Sequence, residues 1–171
     1  MSSERKLELC KETTIMLAKE LRASDRFGLV TFDHGVHTNV PLTTASTSST
    51  AQVAAIRTGG TTNLSGGLFQ GLELLKSAPA AERVRAVLLL TDGHANQGIK
   101  DQGPLVAATT NLLAGTQTSL YTFGYGSDHN AELLQAVAGA AGDGRGGYYF
   151  IETAEKVVGV WRGAERRDAR R

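Results

Sequence analysis

Cysteine is nearly absent from this chain. Cys10 stands alone among 171 residues, so no internal disulfide can form and no disulfide framework holds the fold. Long apolar runs are missing as well. The longest stretch, residues 84–90, is broken by Arg85 and falls far short of the ~20 apolar residues that a membrane span needs. Neither sign of charge prevails: 18 Lys and Arg oppose 17 Asp and Glu, a net +1. No global field therefore recruits nucleic acid or acidic lipid. The first residues, Met-Ser-Ser-Glu-Arg-Lys-Leu-Glu, lack the apolar segment of a secretory signal. What is present is ordinary globular usage, 41% hydrophobic and 20% charged, enough for the core of one domain. The expectation is a soluble single domain, cytoplasmic by default, with neither a membrane nor a nucleic acid as partner.

The apolar periodicities divide the chain into alternating helices and strands. Leu7, Cys10, Thr14, Leu17 and Leu21 recur at helical spacing, with Lys6, Glu8, Lys11, Glu12, Lys19 and Glu20 on the other faces. They predict an amphipathic helix over residues 3–22. Residues 27–32 read as a buried strand. Asp33-His34-Gly35 is a turn signal, and Val36, Thr38 and Val40 alternate with polar neighbours. The pair predicts a β-hairpin that Pro41 stops. Residues 42–50, mostly Thr, Ser and Ala, suit a loop, with a short helix over 51–57. After the Gly59-Gly60-Thr61-Thr62 loop, Leu64, Leu68, Leu72 and Leu75 predict a helix over 63–76, and Pro79 ends that region. The aliphatic run 86–90 predicts a central parallel strand. Helices over 105–113 and 130–137, strands over 119–123 and 148–151, and a last helix from Thr153 complete the pattern. The tail 162–171, with five arginines and two acids, reads as a solvated end. No internal repeat occurs. Such alternation implies an α/β sandwich with a mostly parallel sheet. Ligands of such sheets sit at the carboxyl ends of strands, which singles out Asp33, Asp92 and the loop 124–128.

Each chemical signal has a structural rival. Asp92 follows an apolar strand directly and is held by Gly93 in a turn; it is placed either to bind a cation or to make the turn. Thr61 and Thr62 precede a helix, so one could serve as its N-cap or aim its hydroxyl at a hard cation. Gly59 and Gly60 permit close backbone approach in either case. His34, His37, His94 and His129 show no zinc spacing and read as surface or loop residues. Ser65 lacks the upstream glycine of a nucleophile elbow. Cys10 falls on the apolar stripe and reads as core. The run Gly-Asp-Gly-Arg-Gly-Gly over 142–147 precedes a strand, whereas a dinucleotide fingerprint must follow one.

Two segments carry a family resemblance. Gly59-Gly60-Thr61-Thr62-Asn63-Leu64-Ser65-Gly66-Gly67-Leu68 and Val87-Leu88-Leu89-Leu90-Thr91-Asp92-Gly93 resemble the von Willebrand factor type A domain. The segments from Leu120 and from Gly147 resemble that family's last two strands, and the order of elements agrees over roughly 1–160. The resemblance implies a Rossmann-like three-layer sandwich, mostly parallel, with one antiparallel edge strand. It also implies a metal-ion-dependent adhesion site on the upper edge. Two of that site's residues carry over: Thr62, offering a hydroxyl to Mg²⁺, and Asp92, acting directly or through water. A carboxylate from a protein partner would complete the metal shell.

The family's Asp-x-Ser-x-Ser motif, and the strand that carries it, find no counterpart in these residues. Met1 resembles the methionine that follows that motif, so the chain resembles a domain entered one strand late. The missing strand would lie between the strands 27–32 and 86–90 and leave two apolar edges bare. The expected protein is thus a non-enzymatic protein-binding module over 1–160, with a basic tail over 161–171. Its adhesion site is partial, and Mg²⁺ binding is weak or lost. The rivals are a fragment without autonomous function and, further off, a Rossmann-like enzyme.

Overall fold

A computed structural model describes residues 3–45, 48–57, 59–78, 84–92, 94–142 and 144–168. In chain order the elements are α1 (Ser3–Glu20), β1 (Arg26–Phe32), β2 (Val36–Thr44), α2 (Ser48–Ala54), α3 (Leu64–Lys76), β3 (Arg85–Thr91), α4 (Gln102–Leu113), β4 (Thr118–Tyr125), α5 (Ala131–Gly139), β5 (Gly146–Ile151) and α6 (Ala154–Asp168). The alternation is that of an α/β fold. Pro79 and Gly93, to which the sequence assigns a stop and a turn, lie outside the described residues.

The strands form two sheets. β1 pairs with β2 antiparallel, and β3, β4 and β5 pair in that order, all parallel. Helices cover both faces of the parallel trio. On one face Leu89 and Leu120 pack with Leu64, Leu68 and Leu72 of α3, Leu105 and Leu113 of α4, and Leu133, Leu134 and Val137 of α5. On the other, Tyr121, Phe123, Tyr125 and Ile151 pack with Leu9, Cys10 and Leu17 of α1 and Val157 and Val160 of α6. β4 is buried along its whole length, as a strand covered on both faces and paired on both edges must be. Asn63 starts α3 by accepting from the Gly66 amide at 3.1 Å. Asn130 does the same for α5 through Leu133, at 3.0 Å.

Three expectations are corrected. Pro41 does not stop the hairpin: β2 runs on to Thr44, so the loop assigned to 42–50 begins later, and α2 starts at Ser48. Phe27 pairs with Thr43 and Leu29 with Val40, leaving Gly28 opposite both Pro41 and Leu42. This is a bulge on an edge strand, where a residue without an amide hydrogen is tolerated. The run 86–90 forms β3 but not as a central strand, since β3 lies at the end of its sheet. Aliphatic residues on both faces report helices above and below; they say nothing about the edges. Lys6 and Lys11, assigned to the polar faces of α1, are buried at 6% and 8% exposure, while Leu7, Cys10, Thr14 and Leu17 are only half-buried. α6 runs to Asp168, so the segment 162–168 is helical, with Arg162 and Gly163 exposed as a solvated end would be. Arg162 donates to both carboxylate oxygens of Glu20 at 2.8 and 2.9 Å, which ties α6 to the end of α1.

Candidate functional site

The carboxyl ends of β1 and β3 meet at one loop. The Asn63 amide donates to the Asp33 carbonyl just after β1, at 2.8 Å. Beyond β3, the Asn96 amide donates to the Thr62 carbonyl at 3.1 Å, and the Thr62 amide donates to the Asn96 side chain at 2.7 Å. The Ile99 amide donates to Ser65 Oγ at 2.9 Å. Ser65, 3% exposed, therefore pins the loop after β3. Both strands run toward this loop and so point the same way. Glycine is required at one close approach: a Cβ at Gly59 would lie 2.2 Å from the Asp33 side chain.

Thr62 and Asp92 line the same cavity at this edge, with Thr61, Asp33 and Lys6. Asn63, and not a threonine, caps α3, so neither Thr61 nor Thr62 is committed as N-cap. Asp92 has 46% of its side chain exposed. Asp33 accepts from the Gly35 amide at 2.8 Å, which holds its carboxyl below the ordinary range. The histidines divide. His34, His37 and His94 are exposed, whereas His129 is built into the fold. Its Nδ1 meets the Gly126 carbonyl, its Nε2 meets Tyr148 Oη, and its ring stacks on Phe150 with centroids 5.6 Å apart.

Lys6 is the residue that sequence reasoning missed. Its ammonium donates to Asp128 at 2.7 and 2.9 Å and stands 3.8 Å from Asp92 Oδ2. That contact holds the Asp128 carboxyl below its ordinary range. A Cβ at Gly126, whose φ is +76°, would meet Lys6 Cε at 2.7 Å; the glycine gives the lysine its path. The available signal was positional: Lys6 lies in the second turn of a helix whose start faces the strand ends.

This donor set limits what a divalent ion would find. Mg²⁺ demands a near-octahedral shell of oxygens. Of the ligands that the resemblance implies, the edge offers the Asp92 carboxylate and the Thr62 hydroxyl, with the Lys6 ammonium 3.8 Å from that carboxylate. Among the described residues no group of three or more His, Cys, Asp or Glu is arranged to hold a metal.

The order of elements, the loop between β1 and β3 and the aspartate at the mouth of β3 define a class, and comparison agrees. The family model for the von Willebrand factor type A domain matches residues 1–159. The chain belongs to this family. Over 144 residues it is 28% identical to inter-alpha-trypsin inhibitor heavy chain H1 of Sus scrofa, spanning 78% of this chain but only 16% of that protein. Among solved structures it superposes on a von Willebrand factor type A protein from Catenulispora acidiphila with a TM-score of 0.76. Identity there is 21%, over 95% of this chain and 38% of the other. It also superposes on proximal thread matrix protein 1 from the mussel byssus, whose adhesion-site motif holds zinc. The TM-score is 0.72 and identity 17%, over 95% of this chain and 42% of the other. These likenesses establish the fold. Among the described residues no helix is long and apolar enough to cross a membrane.

Proposed function

We propose that residues 1–160 form a protein-binding module that docks its partner at the carboxyl edge of the sheet, without chemistry on that partner. The observation behind this reading is that Thr62 and Asp92 both line one cavity, with 46% of the Asp92 side chain exposed. Family membership supports it. At that rim the Thr62 hydroxyl and the Asp92 carboxylate would hold Mg²⁺ weakly, and a carboxylate of the partner would add an oxygen to the shell. Lys6 opposes a tight ion there, since its charge lies 3.8 Å from the same carboxylate. The single cysteine leaves the fold independent of an oxidising compartment, and we assign it to the cytoplasm.

Calorimetric titration of the chain and of Asp92→Asn with Mg²⁺ and Mn²⁺ tests this reading. Weak binding that Asp92→Asn abolishes is expected; identical heats for both chains would reject the assignment. A panel of nucleotides in the same instrument tests the enzyme rival. The fragment rival has an observation in its favour, the bare edges of β1 and β3. A thermal melt without a cooperative transition would favour that rival.

A further inference from the structure

β5 lies at one end of the parallel sheet, and among the described residues it pairs with β4 alone. Its sequence is Gly-Gly-Tyr-Tyr-Phe-Ile, with no charge and no proline, and its register against β4 is regular. Charges, prolines and bulges are the devices that keep an edge strand from pairing with another chain. Phe150, 43% exposed, stands on this strand. We propose that β5 pairs antiparallel with β5 of a second copy of this chain, about a two-fold axis at Tyr148. Each Phe150 then enters a cavity of the other copy. The pairing does not depend on the cation reading.

Backbone direction sets the register. The Leu120 amide donates to the Arg145 carbonyl at 2.9 Å, and the pairing with β4 runs without a shift from there to Ile151. In a parallel pair, alternate residues turn both backbone groups toward the neighbouring strand. Tyr149 and Ile151 therefore face β4 with their backbone, and Gly146, Tyr148 and Phe150 turn their amides and carbonyls outward. A two-fold antiparallel pairing of that outward row sets Tyr148 against its own counterpart and Phe150 against Gly146 of the second copy. About six backbone hydrogen bonds form. A shift of the axis to either side leaves one of the three outward residues unmatched.

The same register fits a knob to a hole. Tyr148 and Phe150 lie on one face of the strand, the face that packs toward α5. At the carboxyl end the His129 ring stacks on Phe150 with centroids 5.6 Å apart. At the amino end lies a cavity of about 400 Å³, walled by Gln135, Gly139, Gly142, Gly144, Gly146 and Tyr148. An aromatic ring from a neighbouring strand covers the bare backbone of an edge glycine. Gly146 cannot supply that cover itself, because a Cβ there would collide with the Leu120 carbonyl. Phe150 of the same copy sits four residues away, about 13 Å at ~3.3 Å per residue. Charge agrees with the pairing. Arg145, bonded to the Thr116 carbonyl at 3.3 Å, precedes the strand, and Glu152, which pairs with Lys156, follows it. Antiparallel pairing brings each end beside the opposite charge of the other copy. Such an isologous contact closes at two copies and turns their two carboxyl rims in opposite directions.

Sedimentation velocity of the full chain from about 10 μM to about 1 mM tests the pairing. A reversible monomer–dimer equilibrium is expected. Phe150→Lys removes the knob and charges the edge. Gly139→Leu fills the hole, and a Cβ at Gly139 meets no atom within 4 Å, so the single copy accommodates it. Each variant should weaken the dimer at least about tenfold, while its melting temperature at dilute concentration matches the parent's. Amide exchange should slow with concentration at Gly146, Tyr148 and Phe150, and stay constant at Tyr149 and Ile151, which face β4. In a mixture of labelled and unlabelled copies, an isotope-filtered spectrum should show the Phe150 ring close to Gly139 and Gly146 of the other copy. A chain that stays monomeric throughout, or association that neither variant weakens, would overturn the proposal. So would concentration-dependent protection at 26–32 or 85–91 in place of β5, or growth beyond the dimer.

Discussion

Leu68 and Leu72 lie one turn apart on α3, 1% and 2% exposed, in the same cluster. They differ in what lies beyond them. Leu68 borders the slot between β1 and β3, whereas Leu72 is absent from its walls. Truncating a buried leucine to alanine removes its transfer energy and leaves a cavity whose cost depends on how far the surroundings relax, about 2–5 kcal/mol in all. Leu72→Ala opens a new void in closed packing and should cost about 3–4 kcal/mol. Leu68→Ala enlarges a space that is already open, with walls free to move into it, and should cost nearer 2 kcal/mol. The difference, roughly 1–2 kcal/mol, is a factor of about 5–30 in the folding constant. Urea titrations followed by circular dichroism and Trp161 fluorescence resolve it, provided the two variants share one slope. Equal costs in the free chain, or a greater cost at Leu68 at unchanged slope, would refute the reasoning and mean that the slot is closed in solution.

Acid should destabilise the fold through two carboxylates. Asp128, hydrogen-bonded by Lys6, and Glu20, hydrogen-bonded by Arg162, are both held below their unfolded values. Their contribution is full above the unfolded range near pH 4 and is lost as pH falls through the folded values. Melting temperature against pH should therefore fall less steeply on the acid side in Lys6→Met than in the parent. Cys10 supplies a second test. Desolvation at the half-buried Cys10, helped by the Asp92 charge, pushes its thiol up to about 12, so at about pH 8 it remains a thiol and reacts slowly with a disulfide reagent. Urea should release that reactivity, and native reactivity as fast as in urea would contradict the raised thiol. Asn63→Ala removes the cap of α3 and should cost about 1 kcal/mol in the same urea titration.

Faces were legible in the sequence, and edges were not. The leucines of α3 and the run in β3 announce surfaces that helices and strands must cover, because side-chain period follows backbone geometry. A bare strand edge leaves no mark in that period, since backbone groups are the same in every residue. The run 86–90 accordingly looked central, although among the described residues β3 pairs on one side only. The resemblance to the von Willebrand factor type A domain located the bare edges, because it implied a strand between β1 and β3. Pro41 misled for a related reason: on an edge strand, opposite Gly28, a missing amide hydrogen is tolerated. Lys6 was hidden because its burial depends on Asp128, far along the chain at the end of β4. Thr62 and Asp92 could be named from motif order, but the bonds that fix the Thr62 loop against the segments after β1 and β3 connect residues 33, 62, 63 and 96, pairs that no local pattern predicts.

The central claim is that this module presents its binding rim at Thr62 and Asp92. Paramagnetic broadening by Mn²⁺ in the amide spectrum of the isotopically labelled chain tests it most directly. The account predicts broadening confined to the amides around 60–63 and 91–96, developing only at about 0.1–1 mM ion, the range of weak sites. It should vanish in Asp92→Asn and intensify in Lys6→Met. Broadening centred on other carboxylates, or unchanged by Asp92→Asn, would contradict the claim.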